Sequence, residues 1–149
     1  MKTTNHWLTY MQYGFIAAIA YITCAFVFIL HAQFKYAWWL NLGNMFFMAA
    51  LFVYGWIQRK ALPSATAKIV AGMFVTLWGI TFSCIFIILV SCVHLSPVKN
   101  VPATIINGKP ASPYWMLFIN AIIVNCCCGA FITLMTAYAV QQKNIETPS

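Results

Sequence analysis

The chain has 149 residues, of which 63% are hydrophobic and 6% are charged, and its formal net charge is +7. Soluble globular proteins have about a quarter of their residues charged, so this chain could not cover a surface that faces water. Lipid must solvate most of it, and the length is enough for one domain. All the basic residues lie outside the long apolar runs, which favours contact with lipid headgroups and excludes binding of nucleic acid.

Four apolar runs are each long enough to cross about 30 Å of hydrocarbon as a helix. They cover residues 10–30, 38–57, 69–93 and 114–140, and none contains Asp, Glu, Lys or Arg. Tryptophan and tyrosine residues lie at their ends, as aromatic side chains do at membrane surfaces. The sequence therefore predicts an all-α integral membrane four-helix bundle with up-down-up-down topology, in which residues 1–149 form a single transmembrane domain.

The connection between the second and third spans is basic. It contains Arg59, Lys60 and Lys68, which are three of the eight basic residues of the chain. Positive charge beside a membrane span stays in the cytoplasm. Four spans place both termini on that same side, where they add Lys2 and Lys143 and leave the other three lysines outside. This bias predicts a multi-pass protein of the inner (plasma) membrane with both termini in the cytoplasm.

The longest connection covers residues 94–113 and contains four prolines, which rule out a continuous helix. The dipeptide Asn107-Gly108 is a tight-turn signal between two isoleucines and Lys109. The sequence predicts a small hairpin or capping loop on the membrane surface here.

Helices in lipid associate through the close approach of small residues and through hydrogen bonds. At about 100° per residue, positions spaced four, three and four apart lie on one face. The helix-packing residues predicted from such stripes are Gly72, Thr76, Gly79, Ser83, Asn125, Gly129 and Thr133. Ser83 and Asn125 both lie about 15 Å below the outer ends of their spans. We expect these two side chains to form a hydrogen bond, with Gly79 and Gly129 close to the same crossing.

The sequence lacks the residues that most membrane enzymes need. Its one acid, Glu146, lies outside the spans, so no span supplies a carboxylate that could carry a proton or bind a metal. Neither a Cys-x-x-Cys pair nor a G-x-S-x-G, H-E-x-x-H or Walker motif is present. We therefore predict that the protein is not an enzyme and has no catalytic residues.

The triplet Cys126-Cys127-Cys128 suggests a soft-metal site for copper(I) or zinc. Successive side chains on a helix diverge by about 100°, however, so three adjacent cysteines cannot all reach one ion. We expect three reduced, small apolar side chains and no metal.

Two histidines provide a different possibility. His31 and His94 lie at the outer ends of the first and third spans, which are diagonal partners in a sequential up-down-up-down bundle. Because histidine is the common axial ligand of haem iron, these two residues could hold a b-type haem. Interfacial histidines bonded to loop carbonyls or water would explain the same positions, and on that interpretation the protein has no cofactor.

Several features of the layout carry a resemblance to known proteins. They are four spans in about 150 residues, a Tyr13-Gly14 start to the first span, and Arg59-Lys60 between the second and third spans. In these respects the chain resembles an uncharacterised family of small four-span bacterial membrane proteins. The resemblance implies the architecture and no active residue.

Three interpretations of function follow. The first is a non-enzymatic accessory or structural subunit in the lipid bilayer, which packs against itself or another membrane protein. The second is a haem- or metal-binding bundle that uses His31 and His94. The third is a small transporter or pore for a neutral solute, with its path lined by Asn41, Asn44, Asn120 and Asn125.

The predicted topology can be tested by cysteine labelling in intact cells. In an S64C variant with Cys92 replaced by serine, we expect a membrane-impermeant maleimide to label position 64 only after the membrane is permeabilised, because the basic loop is cytoplasmic. The control is S112C in the same background, which should be labelled from outside. Efficient labelling of S64C in intact cells would mean that the topology is inverted.

Overall fold

The computed structural model describes residues 6–31, 38–58, 64–93, 104–106, 109–111 and 113–146, with side chains described over 6–28, 38–58, 64–93 and 114–139. Three uninterrupted helices are α1 (His6–His31), α2 (Trp38–Gln58) and α3 (Ala65–Cys92). The fourth helix has three parts, which are α4 (Pro113–Ile119), a π-helical segment (Asn120–Val124) and α5 (Asn125–Glu146).

The prediction of an all-α protein built from membrane-spanning helices is confirmed. In the described part of the chain, four helical stretches are long and apolar enough to cross a membrane. They are His6–Phe28, Trp38–Gln58, Ala65–Cys92 and Tyr114–Ala139. The chain is therefore a small multi-pass membrane protein.

The helices extend beyond some of the apolar runs. α3 begins at Ala65, where the Ser64 hydroxyl accepts a hydrogen bond from the Ala67 backbone N–H at 3.1 Å. Such an N-cap satisfies one of the free N–H groups in the first turn of a helix. Lys68 consequently lies in the first turns of α3. A charged residue such as Lys68 ends an apolar run in the sequence, but the helix continues through it.

Two short strands lie in the connection between α3 and α4. β1 (Thr104–Ile106) and β2 (Lys109–Ala111) pair antiparallel, with Ile106 opposite Lys109 and Thr104 opposite Ala111. The two strands flank Asn107-Gly108, the dipeptide that is predicted to form a turn.

Contacts between α1 and α3 show that these helices are direct neighbours. The Trp7 ring at the start of α1 contacts the Trp78 ring midway along α3, with centroids 5.5 Å apart, and farther along both helices Phe26 contacts Phe86 at 6.5 Å. The contacts follow the same order along both helices, so the two run parallel. The expectation that the first and third spans are diagonal partners is wrong. Gly14 explains this, because its missing side chain lets α1 approach the α3 backbone.

The remaining contacts complete the arrangement. α1 packs antiparallel to α2, since Tyr13 contacts Tyr54 whereas Tyr21 lies against Gly43. α3 packs antiparallel to α5, because Gly72 lies against Thr133 and Thr76 lies against Gly129. α2 also packs on α5, so the helices follow the order α1, α2, fourth helix, α3 around the bundle. How these helices are oriented across a bilayer stays a prediction.

The small residues of α3 serve two different neighbours. Gly72 and Thr76 face α5, as described above. Gly79 instead lies against Phe47 of α2 and the carbonyl oxygen of Gly14. The expectation that Gly79 and Gly129 share one crossing is therefore wrong. The stripe covers a wide face of α3, and α3 lies between α1 and α5, so successive turns of the stripe contact different helices.

The contact of Gly14 with α3 can be tested by adding one methyl group. A Cβ at position 14 would lie 2.9 Å from the Val75 carbonyl oxygen and 3.0 Å from the Gly79 amide nitrogen. Backbone atoms cannot rotate away, so we expect G14A to lower the free energy of unfolding in detergent by about 1–3 kcal/mol.

The matched control is G55A. The nearest atoms to a Cβ at Gly55 belong to the Thr136 side chain, at 3.0–3.1 Å, and that side chain can shift. G55A should therefore lower the free energy of unfolding by less than G14A does. Equal stability of G14A and the unmodified protein would contradict the α1–α3 contact.

Candidate functional site

The bundle interior contains several polar side chains. Asn44, Thr76, Ser83, Asn125 and Thr133 are all buried. A buried polar group without a hydrogen bond costs free energy, so each of these needs a partner. Finding those partners identifies the groups that remain available to bind something else.

Two of the hydroxyl groups are satisfied within their own helix. The Thr76 hydroxyl donates to the Gly72 carbonyl at 2.9 Å, and the Ser83 hydroxyl donates to the Gly79 carbonyl at 2.9 Å. Serine and threonine make this bond to the preceding turn easily, because their side chains are short. These residues therefore act in packing.

The expected hydrogen bond between Ser83 and Asn125 is absent, and that prediction is wrong. The Ser83 proton is used in its own helix, and both amide atoms of Asn125 lack a hydrogen-bond partner within the described residues. Asn125 is fully buried, so it faces the interior and not lipid. The Asn125 amide makes no such bond to its own helix, so its hydrogen bonds depend on groups outside that helix.

A long-range hydrogen bond joins α1 to the fourth helix. The Tyr21 hydroxyl donates to Asn120 Oδ1 at 3.0 Å and lies 3.4 Å from the Leu117 carbonyl oxygen. Tyr21 is fully buried, although its hydroxyl is polar. A tyrosine at such a depth needs this kind of partner. The bond fixes the fourth helix against α1 at the start of the π-helical segment.

The π-helical segment determines which asparagines face the interior. Asn120 and Asn125 are five residues apart, which in a regular α-helix would place them about 140° apart around the axis. Pairing from i to i+5 widens the turn and brings residues five apart nearer to one face. Asn120 is half-buried and Asn125 is buried. The fourth span was expected to be one uninterrupted helix, so this segment was not predicted. The two asparagines at this spacing in an apolar span were the available signal.

Asn44 of α2 lies at the same level as Asn125. Gly55 of α2 lies against Thr136 of α5, and these helices run parallel. Asn44 and Asn125 each lie eleven residues before that contact, which is three helical turns, or about 16 Å. Both side chains are buried, and Asn44 Oδ1 lacks a partner in the described part of the chain.

We call Tyr21, Asn44, Asn120 and Asn125 the asparagine layer. Tyr21 belongs to it because its ring and carbonyl lie against Gly43, next to Asn44. The layer presents neutral donors and acceptors, and it has no Asp, Glu, His, Lys or Arg among its members. It is suited to hydrogen bonding with water or a neutral molecule. Three of the four asparagines predicted to line a solute path thus face the interior, whereas Asn41 is exposed.

The two histidines predicted to bind haem fall outside the side chains that the structure describes. The His31 side chain and all of His94 are outside the described residues. The haem hypothesis stays a prediction.

The cysteines do not gather into one site. All six are free thiols, and Cys126 and Cys127 are exposed, while Cys128 is partly buried. Over the side chains that the structure describes, no group of three His, Cys, Asp or Glu residues is arranged to hold a metal ion.

Comparisons with models of protein families, with curated proteins and with solved structures found no match to this chain. The resemblance to a family of small four-span bacterial proteins stays a prediction.

The asparagine layer can be tested by a double-mutant cycle on Asn44 and Asn125. Asn44 Oδ1 and both Asn125 amide atoms have no partner among the described residues, so the two amides can couple only through a molecule bound between them. If both amides bind such a molecule, the loss of stability in N44L/N125L should be smaller than the sum of the single losses by about 0.6 kcal/mol, a typical coupling inside membranes. Thermal and denaturant unfolding in detergent would provide the values.

Asn41 provides the control for this cycle, because its side chain is exposed on the same helix. The N41L and N125L effects should be additive. Additive effects of N44L and N125L as well would contradict a molecule bound between the two amides.

Proposed function

We propose that the chain is a non-enzymatic accessory or structural subunit that packs, through one face of the fourth helix, against itself or another membrane protein. It lies in the inner (plasma) membrane with both termini in the cytoplasm. The observation that carries this proposal is a group of small side chains on the outer face of α5.

The interior contacts support a packed unit over a transport path. Gly14 lies against the backbone of α3, and Gly129 lies against Thr76. A solute path along the bundle axis would require these close contacts to separate. The asparagine layer contains no carboxylate, imidazole, ammonium or guanidinium group, which supports a role without proton transfer.

The outer face of α5 has two adjacent exposed thiols. Cys126 and Cys127 are exposed, and Ala130 follows one turn later, partly buried. Counted from Tyr114, Cys126 lies about 18 Å into the fourth helix, near mid-membrane. Exposed leucine or phenylalanine is expected in lipid, because the acyl chains are equally apolar. Small side chains are different, since they allow the backbone of another helix to approach closely.

Oxidative cross-linking in native membranes tests this proposal. We expect a membrane-permeant oxidant to convert the full-length chain into a covalent dimer, or into an adduct with one other protein, through the exposed cysteines of α5. The species should be lost in C126S/C127S, which removes both exposed thiols of this face.

The control is C92S, which removes an exposed thiol at the far end of α3 and should leave the cross-link intact. Native mass measurement of the detergent-extracted protein is the second readout. A monomeric mass together with no cross-link would contradict the proposal.

The haem interpretation has its own simple measurement. A Soret band in the visible spectrum of the purified protein would support binding through His31 and His94. A colourless sample free of metal would remove that alternative.

A further inference from the structure

A narrow cleft opens between α2, α3 and α5 at the end of the bundle where α2 ends and α3 begins. It is lined by Leu51, Tyr54, Gly55, Gln58, Lys68, Gly72, Thr133 and Thr136. The cleft has room for about one oxygen atom the size of a water molecule. We call it the basic-end cleft.

Several of the residues that line the basic-end cleft can donate hydrogen bonds. Lys68 supplies an ammonium group, Gln58 an amide and Tyr54 a hydroxyl. Tyr54 is 3% exposed, and its hydroxyl has no hydrogen-bond partner among the described residues. Its ring is held by Tyr13, with centroids 4.9 Å apart. A buried hydroxyl without a partner is costly, so an acceptor that enters the cleft would remove that cost.

Among the side chains that the structure describes, none is acidic, so Lys68 has no carboxylate beside it there. Glu146 is the one acidic side chain in the sequence. Because Gly72 lies against Thr133 on antiparallel helices, Ala137 is the residue of α5 at the level of Lys68. The backbone of Glu146 lies nine residues farther along, or about 13 Å. Arg59 and Lys60 add charge of the same sign nearby in the sequence. Within the described side chains, the cleft therefore has a positive charge without a compensating negative one.

The depth of the cleft indicates the source of the anion. Tyr54 lies four residues, or about 6 Å, inside the end of α2. Trp56 and Tyr138 are exposed near the same level. Exposed tryptophan and tyrosine mark the headgroup region of a bilayer. The anions present at that level are the phosphates of phospholipids.

We propose that the basic-end cleft binds the phosphate of an anionic phospholipid. Lys68 pairs with the phosphate charge at the mouth, and one phosphate oxygen enters to accept hydrogen bonds from Tyr54 and Gln58. The headgroup and acyl chains stay outside the cleft, along the exposed surfaces of α2 and α5. This site is independent of the association face on α5.

Lipid retention by the purified full-length protein tests this site. In native mass spectrometry from mixed micelles, phosphatidylglycerol should be retained in preference to phosphatidylcholine, and it should raise the thermal midpoint. K68Q should weaken retention of phosphatidylglycerol about fivefold, the effect of one basic residue at an anionic surface. Y54F, which removes only the hydroxyl, should also weaken it.

Two variants separate a lipid site from general charge effects. K68R keeps the charge and should keep the retained lipid. K109Q removes one charge at the predicted outer surface and should have no effect, with midpoints in the absence of added lipid confirming that each variant is folded. Equal retention of both lipids, or unchanged retention in both K68Q and Y54F, would overturn the proposal. Equal stabilisation by inorganic phosphate alone would also overturn it, because it would identify a site for free anions.

Discussion

The close approach of α1 and α3 at Gly14 and Gly79 is the contact on which the rest of the arrangement depends. Without side chains at these positions, the carbonyl oxygen of Gly14 lies beside Gly79, and Phe47 fills the remaining space. In lipid there is little hydrophobic force between helices, so such packing determines which helices are neighbours. Because α1 and α3 are neighbours, α2 packs against the fourth helix and not across the bundle from it.

The buried polar side chains fall into two groups, according to whether they form hydrogen bonds within their own helix. Hydroxyl groups bond to their own helix, as Thr76 and Ser83 do, and therefore place no demand on the fold. Asn44 Oδ1 and both amide atoms of Asn125 make no such bond within the described residues, so they depend on other groups in the interior. The Tyr21 hydroxyl donates a hydrogen bond to Asn120 Oδ1. Asn44 and Asn125 keep unpartnered atoms at the same level, which makes the asparagine layer the most specific feature of an otherwise apolar interior.

One end and the outer surface of the bundle have different chemistry from its interior. The interior is neutral, whereas the basic-end cleft has the Lys68 charge, without an acidic partner among the described side chains, and the buried Tyr54 hydroxyl. The α5 face has small thiols at mid-depth. The two proposals made above accordingly assign contacts with lipid headgroups to one end of the bundle and contacts with another helix to its side.

The sequence by itself determined the membrane environment and the number and approximate positions of the four spans, because these follow from the local run of apolar residues and need no knowledge of neighbours. It also identified Gly72, Thr76, Asn125 and Thr133 as residues of the packing faces, since helical periodicity places them there. Only the tertiary structure decided which helices these faces meet. The same wide stripe on α3 can serve one neighbour or two, and the choice depends on contacts between distant residues such as Gly14. The π-helical segment likewise appears only in the tertiary structure, where Asn120 at its start accepts a hydrogen bond from Tyr21, 99 residues away in the chain.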